Sequence, residues 1–528
     1  MTQLTDTVLA PPAPPRVRPS RLPALRRIGD PLLVGLVSFV VYALHGNQGP
    51  LGRDLGVFTY GGEHVAKGVP PYVGIFNSVG PLADAIPGAA IWLGNLVDAD
   101  PILVARLAFM VISALCCALV CVLARDVFLS RAAGFVAPAV FLTFLRFTEL
   151  ASSGPREKTP MVLFLLLALI LLLRRRWLAA GLFGALATLT WQPSLAVVLV
   201  AFVATVVVHG LRRREAWDAV VGFLAGGSIP SVLTVAYFLS QGALKIAVDG
   251  FLVVNLYTRQ PGALSDPAAT WQTLYTDFQQ SLYVVVAGLV ALLLVSARAT
   301  VQIRRRSAGA GDPVARRLVI VGAGALAGTA WTLAVVNGGP DLFELLPFAA
   351  LGLTGLVLLA AGHLPRPAAV VLVVAVSLVG LVSGGIESVA TERHVLIQER
   401  ADVEAVLATQ PPEAQVLSID APQVLALSGR DNPSSLQIFT PSQDAFLQHR
   451  LAGGLRRYAA RVRALQPTFV VVGGSYRGNW ADAMLAQDYW RVGHGTSWTW
   501  YLNRSAGPDA LLAARQANRA AMLGNPDY

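Results

Sequence analysis

Apolar residues in this chain come in long runs broken by short polar or arginine-rich turns, without the strict alternation of half-buried strands. Runs long enough to approach the hydrocarbon core of a bilayer, about 30 Å, fall near residues 28–45, 101–124, 132–148, 160–173, 177–191, 194–210, 217–239, 281–299, 317–336, 343–362 and 367–386. The pattern predicts a polytopic α-helical membrane protein with about eleven transmembrane helices. A further helix over 82–96 is apolar on much of its surface but contains Asp84 and Pro87, which suits the membrane interface better than a span.

After Gly385 the pattern shortens to that of an ordinary soluble domain. Segments 416–420, 436–440 and 468–472 read as buried strands, helices fall near 394–409 and 444–465, and 490–503 alternates like a terminal hairpin. The expected organisation is a disordered tail over 1–27, a transmembrane domain over 28–386 and an α/β domain over 387–528. Run 31–44 has the length of a signal-peptide core, but no small-x-small cleavage site follows it. A retained signal-anchor is the better reading.

Composition agrees: 55% of the 528 residues are hydrophobic and 14% charged, with a mean hydropathy of +0.58, outside the soluble globular range. The net charge of +10 would suit a nucleic-acid binder if the arginines were spread over one surface. They are instead clustered between apolar runs, at Arg125 and Arg131, at 174–176, at 212–214, at 304–306 with Arg316 and Arg317, and at Arg366. With the N-terminal tail inside, every cluster lies on the cytoplasmic side. No nucleic-acid partner is expected; the protein is expected to be multi-pass in the plasma membrane, with its C-terminal domain outside. Cys116, Cys117 and Cys121 share one apolar run and read as small core residues.

This topology puts loops 46–81, 149–159 and 240–280 on the outer face. Asp54, just past the first span, can take a proton from an acceptor hydroxyl; the bland alternative is an exposed acid paired with Arg53. Arg156-Glu157-Lys158, with Arg106, Arg146 and Glu149 at the same depth, suits a phosphate or diphosphate. Arg106 and Arg146 fit snorkelling to lipid headgroups equally well. Loop 240–280 holds Lys245, Asp249, Tyr257, Arg259, Trp271, Tyr275 and Asp277, and reads as one or two interfacial helices beside a lipid-open cleft or as a mobile connector. No zinc-protease, Walker, serine-hydrolase or dinucleotide fingerprint occurs in a suitable context. A divalent metal at His64 with Asp54 or Glu63 rests on a single histidine, so no cofactor is expected.

Several short stretches carry a family resemblance. Ala66-Lys67-Gly68-Val69-Pro70-Pro71-Tyr72, Gly80-Pro81-Leu82, Trp191-Gln192-Pro193, the segment 341–347 and Leu427-Ser428-Gly429-Arg430 before Pro433 together resemble the polyprenyl-phosphate-sugar-dependent GT-C glycosyltransferases, within the protein mannosyltransferase and aminoarabinose-transferase branch and its actinobacterial relatives. The resemblance implies a GT-C-like fold, a polyprenyl-phosphate-linked hexose or pentose as donor, and an extracytoplasmic glycan, lipid or protein as acceptor. It implies transfer with inversion, with Asp54 as general base and Arg156, Lys158 and Arg259 on the donor phosphate. Arg53, Glu63, Tyr72, Glu157, Gln192 and Glu344 fall among the implied substrate-binding positions. Where the family has Lys-Pro-Pro-Leu this chain has Val79-Gly80-Pro81-Leu82, and Trp191 stands where the family's turn has lysine; Leu342 or Phe343 replaces a histidine. A carrier of lipid-linked sugars, or an inactive binding protein of the same fold, are the other readings. Concentration of ionisable residues at one face favours chemistry there over transport.

Overall fold

Each of the eleven apolar runs is helical in the computed structural model, which describes residues 24–257, 266–305, 312–336, 338–390 and 394–523. In chain order the first half contains α1 (Ala24–Ala43), α2 (Arg53–Ala66), α3 (Leu82–Asn95), α4 (Pro101–Phe128), α5 (Ala133–Leu142), α6 (Leu145–Ala151), α7 (Lys158–Leu173), α8 (Trp177–Thr190) and α9 (Ser194–Val208). Then follow α10 (Arg213–Ser240), α11 (Leu244–Val248), α12 (Pro267–Phe278), α13 (Ser281–Arg305), α14 (Pro313–Ala334), α15 (Leu346–Gly362) and α16 (Arg366–Ala390). By length and composition five of the described helices can cross a membrane, or six if α5 and α6 count as one span. The 28 residues of α4 rise roughly 42 Å, whereas the 14 of α8 rise only about 21 Å. The short helices are held by neighbours through small residues: a Cβ on Gly181 would lie 1.9 Å from the Phe223 carbonyl oxygen of α10, so α8 and α10 touch backbone to backbone.

Two expectations are corrected. The run 132–148 is not one continuous helix: α5 and α6 meet at a bend of 73°. Phe144 leaves the helical region there (φ −81°, ψ 85°), and the Thr143 hydroxyl donates to the Val140 carbonyl (2.7 Å), a local bond that competes with the helical ladder. The polar stretch after α1 is not simply a loop, since it contains α2, with Asp54 in its first turn.

The C-terminal domain contains α17 (Val395–Leu407), β1 (Val416–Ile419), α18 (Pro422–Ser428), α19 (Pro441–Arg450), α20 (Gly454–Leu465), β2 (Phe469–Gly473), α21 (Asp482–Asp488), β3 (Tyr489–His494), β4 (Trp498–Asn503) and α22 (Pro508–Met522). Its sheet runs β1-β2-β4-β3. β1 and β2 are parallel, with Val416 opposite Phe469, and the other pairs are antiparallel. The expected strand 436–440 is instead a segment outside the sheet whose middle is held by Asp420, which donates its N–H to the Gln437 carbonyl and accepts the Phe439 N–H on its carboxylate. The expected helix 444–465 is split into α19 and α20 by Gly453 and Gly454, both at positive φ (82° and 59°), a conformation that favours glycine.

This domain sits directly on α2. Leu55 and Phe58 of α2 share a core with Val416, Leu425 and Trp500, the Tyr60 hydroxyl accepts the Asn432 N–H (2.9 Å), and the Leu51 N–H donates to Glu399 (2.8 Å). A Cβ on Gly56 would lie 2.6 Å from the Gln423 backbone of α18, so α2 needs glycine at the contact. Gly56→Val is therefore expected to push the domain off α2 at a cost of roughly 1–3 kcal/mol. A Tm a few degrees lower and faster tryptic release of the C-terminal domain are the expected results; unchanged values of both would contradict the contact.

Candidate active site

The bend between α5 and α6 and the start of α2 leave a cavity of about 700 Å³ under the C-terminal domain. Asp54 and Arg53 enter it from α2, Arg146 and Glu149 from α6, Arg156 from the turn before α7, and Asp277 from the end of α12. Ser475, in the loop after β2, completes the wall.

Asp54 is clamped from two sides. Arg53 donates through Nε (3.2 Å) and Nη2 (3.1 Å) to Oδ1, and Arg156 Nη2 lies 3.3 Å from Oδ2. The Arg156 side chain is 7% exposed and that of Asp54 40%, so the carboxylate opens to the cavity while its partner reaches it from the protein. Burial works against the charge on Asp54, but Arg156 and Arg53, with the Lys158 ammonium, outweigh it and hold the carboxyl at about 2. The N-terminus of α2 favours the anion as well. Arg53 also reaches Asp420 (3.7 Å) and Ser475 (3.5 Å), tying the carboxylate's neighbour to the C-terminal domain.

A second cation faces the same space. Arg146 pairs with Glu149 (2.7 Å) and Asp277 (3.3 Å), and Asp277 accepts the Gly339 N–H (2.6 Å). Sequence left Arg146 equally able to reach a lipid headgroup; the α5–α6 bend turns it into the cavity. Its pairing with Asp277 has no sequence signal, the two being 131 positions apart. Arg106 meets the cavity wall but serves as a brace: Nη1 donates to the Asn47 and Gly49 carbonyls (both 2.8 Å) and Nη2 to that of Pro50 (3.1 Å), fixing the segment that leads into α2.

The other expected site residues lie elsewhere. Lys158 is buried behind the cavity, 2.9 Å from both Glu157 and Asp341, with its ammonium 5.3 Å from the centre of the Trp191 ring. Trp191 thus covers a lysine from another helix. Glu344 is fully buried nearby, and neither of its oxygens has a hydrogen-bond partner among the described residues. Gln192 donates to the Ser78 (3.0 Å) and Phe251 (2.9 Å) carbonyls, and the Tyr72 hydroxyl to the Val79 carbonyl (2.7 Å). Both staple loops together. Gly80 packs so tightly that a Cβ would lie 1.9 Å from the Leu189 carbonyl oxygen. Arg259 lies outside the described residues.

Glu63 is at the far end of α2, in a separate cavity of about 440 Å³ with Lys67, Asp100 and Arg400. His64 is ten residues from Asp54 on the same helix, about 15 Å along its axis, so the two cannot share a metal. Among the described residues no three His, Cys, Asp or Glu side chains are grouped to hold a metal ion.

No protein-family model matches the chain, and no curated protein matches it in sequence. The fold does have solved counterparts. It is similar to ArnT from Cupriavidus metallidurans in the apo state, with a TM-score of 0.61 and 14% identity over 91% of this chain and 99% of that one. The same enzyme bound to undecaprenyl phosphate matches with a TM-score of 0.54 and 15% identity, over 92% and 100% of the two chains. The architecture is therefore the fold of these structures, a bundle of apolar helices with a small C-terminal α/β domain.

Glu63 provides a test of the electrostatics. Burial, against Lys67 and reinforced by Asp100 and Asp431, pushes its carboxyl up to about 8. The folded protein then keeps a proton that the unfolded chain releases near pH 4.5, so stability falls as pH rises from about 4.5 to 8. Glu63→Gln removes that part of the slope. Thermal melts from pH 5 to 8 should show Tm raised by roughly 1–3 °C at pH 8 and little changed at pH 5; an equal shift at both ends would contradict a buried neutral Glu63.

Proposed function

We propose that the protein transfers a sugar from a polyprenyl-phosphate donor to the hydroxyl of an extracytoplasmic acceptor, with inversion at the anomeric carbon. The observation that carries this reading is the half-open Asp54 carboxylate held between Arg53 and Arg156 in a polar cavity at one end of the membrane helices. The fold supports it, since the similar ArnT structure holds undecaprenyl phosphate. The donor sugar is a hexose or pentose, the prenyl chain a decaprenyl or undecaprenyl one, and the acceptor an envelope glycan, lipid or protein. A plasma-membrane location with the cavity outward follows from the arginine clusters.

In this reading the acceptor oxygen attacks the anomeric carbon as the bond from that carbon to the phosphate oxygen breaks. The bonding pair leaves with the phosphate, and the acceptor proton passes to Asp54. A phosphate leaving group needs countercharge and no general acid. Arg156 and Arg146 face the cavity and provide it; Lys158, held by Glu157 and Asp341, acts through space from behind. A carboxylate at about 2 is a weak base in the empty site. Donor phosphate drawing Arg156 away from Asp54 and adding its own negative charge raises that basicity, so the base strengthens when the donor is in place.

The test is transfer from synthetic polyprenyl-phosphate sugars by the purified protein in lipid nanodiscs. Asp54→Asn is expected to lower kcat by roughly 10²–10⁴-fold, while Arg156→Ala and Arg146→Ala raise the donor KM with the fold intact. Lys158→Ala should lose Tm and activity together, because it uncovers Glu157 and Asp341. Full activity in Asp54→Asn removes the base assignment; no transfer by folded wild type from any such donor removes the proposal.

A further inference from the structure

At the end of the helices opposite the Asp54 cavity, α1, α4 and α7 enclose a cleft of about 1410 Å³. Its walls are aliphatic; among them Leu32, Leu36 and Leu115 are 70%, 62% and 47% exposed. Its mouth is lined by four guanidiniums, those of Arg125, Arg131, Arg174 and Arg317. Asp30 takes Arg125 (3.3 Å) and Arg131 (2.8 Å). Asp126 takes Arg174 on its carboxylate (2.8 Å) and Arg317 on its backbone carbonyl. Among the described residues, the mouth and the acids paired with it have four cations and two carboxylates, and Arg131 and Arg174 remain 54% and 51% exposed.

Depth and charge together select an occupant. Val111, which lines the upper cleft, is fourteen residues along α4 from Arg125, about 21 Å, so the cleft runs deeper than the roughly 15 Å of one hydrocarbon leaflet. An acyl chain fits the walls. A lipid phosphate fits the guanidiniums, and excess positive charge between helices at headgroup level favours an anionic lipid over one whose own ammonium would be repelled.

We propose that this cleft is a binding site for one anionic phospholipid, on the opposite membrane face from the reaction cavity and independent of the transfer reaction. The acyl chain lies along α1 and α4, and the phosphate meets Arg131 and Arg174. The experiment quantifies, by mass spectrometry, phospholipid classes retained by the detergent-purified protein, then titrates delipidated protein with phosphatidylglycerol or phosphatidylcholine. Wild type should retain and bind phosphatidylglycerol preferentially. Arg131→Gln with Arg174→Gln should weaken that binding about 30-fold, and Leu115→Trp, which fills the cleft without changing charge, should weaken both lipids. Arg213→Gln with Arg214→Gln, two exposed arginines at the start of α10 on the same face, should have little effect. No class preference in wild type, or equal loss in both arginine pairs, overturns the proposal.

Discussion

Ionised groups at the edge of a low-dielectric helix bundle persist only when opposite charge stands beside them, and this constraint shapes the end of the bundle that carries the Asp54 cavity. A pair of unit charges 4 Å apart is worth about 4 kcal/mol at the dielectric of a protein rim and several times less in water. Asp54 meets that demand with Arg53 and Arg156, Arg146 with Glu149 and Asp277, and Lys158 with Glu157 and Asp341. The three sets differ in access. Asp54 and Glu149 are each about 40% exposed, so their arginines can trade a carboxylate for another anion at modest cost. Lys158 and both its acids are almost dry, and separating them would strand a charge. Arg156 and Arg146 are therefore the cations able to change partners, while Lys158 stays where it is.

The helical membrane domain was legible because long apolar runs have few other solutions in lipid. What escaped the pattern was decided by contacts distant in sequence. α2 holds Gly56, Gly61 and Gly62, poor helix formers that succeed because α18 and α3 press directly on them. The break at Thr143 and Phe144 falls inside a run that hydrophobicity alone treats as one. The segment 436–440 has a strand's composition but finds its partner in Asp420 instead of a ladder.

The candidate site was legible to a similar degree. Asp54 and Arg156 stood out as charges beside span ends, and the structure brings them within 3.3 Å. Their neighbours diverged: Lys158 opens α7 and faces inward, and Glu63, nine positions along α2, faces another cavity altogether. Tyr72, Gln192 and Gly80 fit motif positions yet serve as staples between loops. A motif marks where the chain must come together, and only side-chain direction separates the residues that hold the wall from those that face the space.

The bend between α5 and α6 has a geometric consequence for reach. By turning Arg146 and Glu149 toward Asp54, it builds one wall of the cavity from a helix that leaves the direction of α5, while Ser475 of the C-terminal domain supplies another. In the proposed reaction both reactants have to share the space between those two walls.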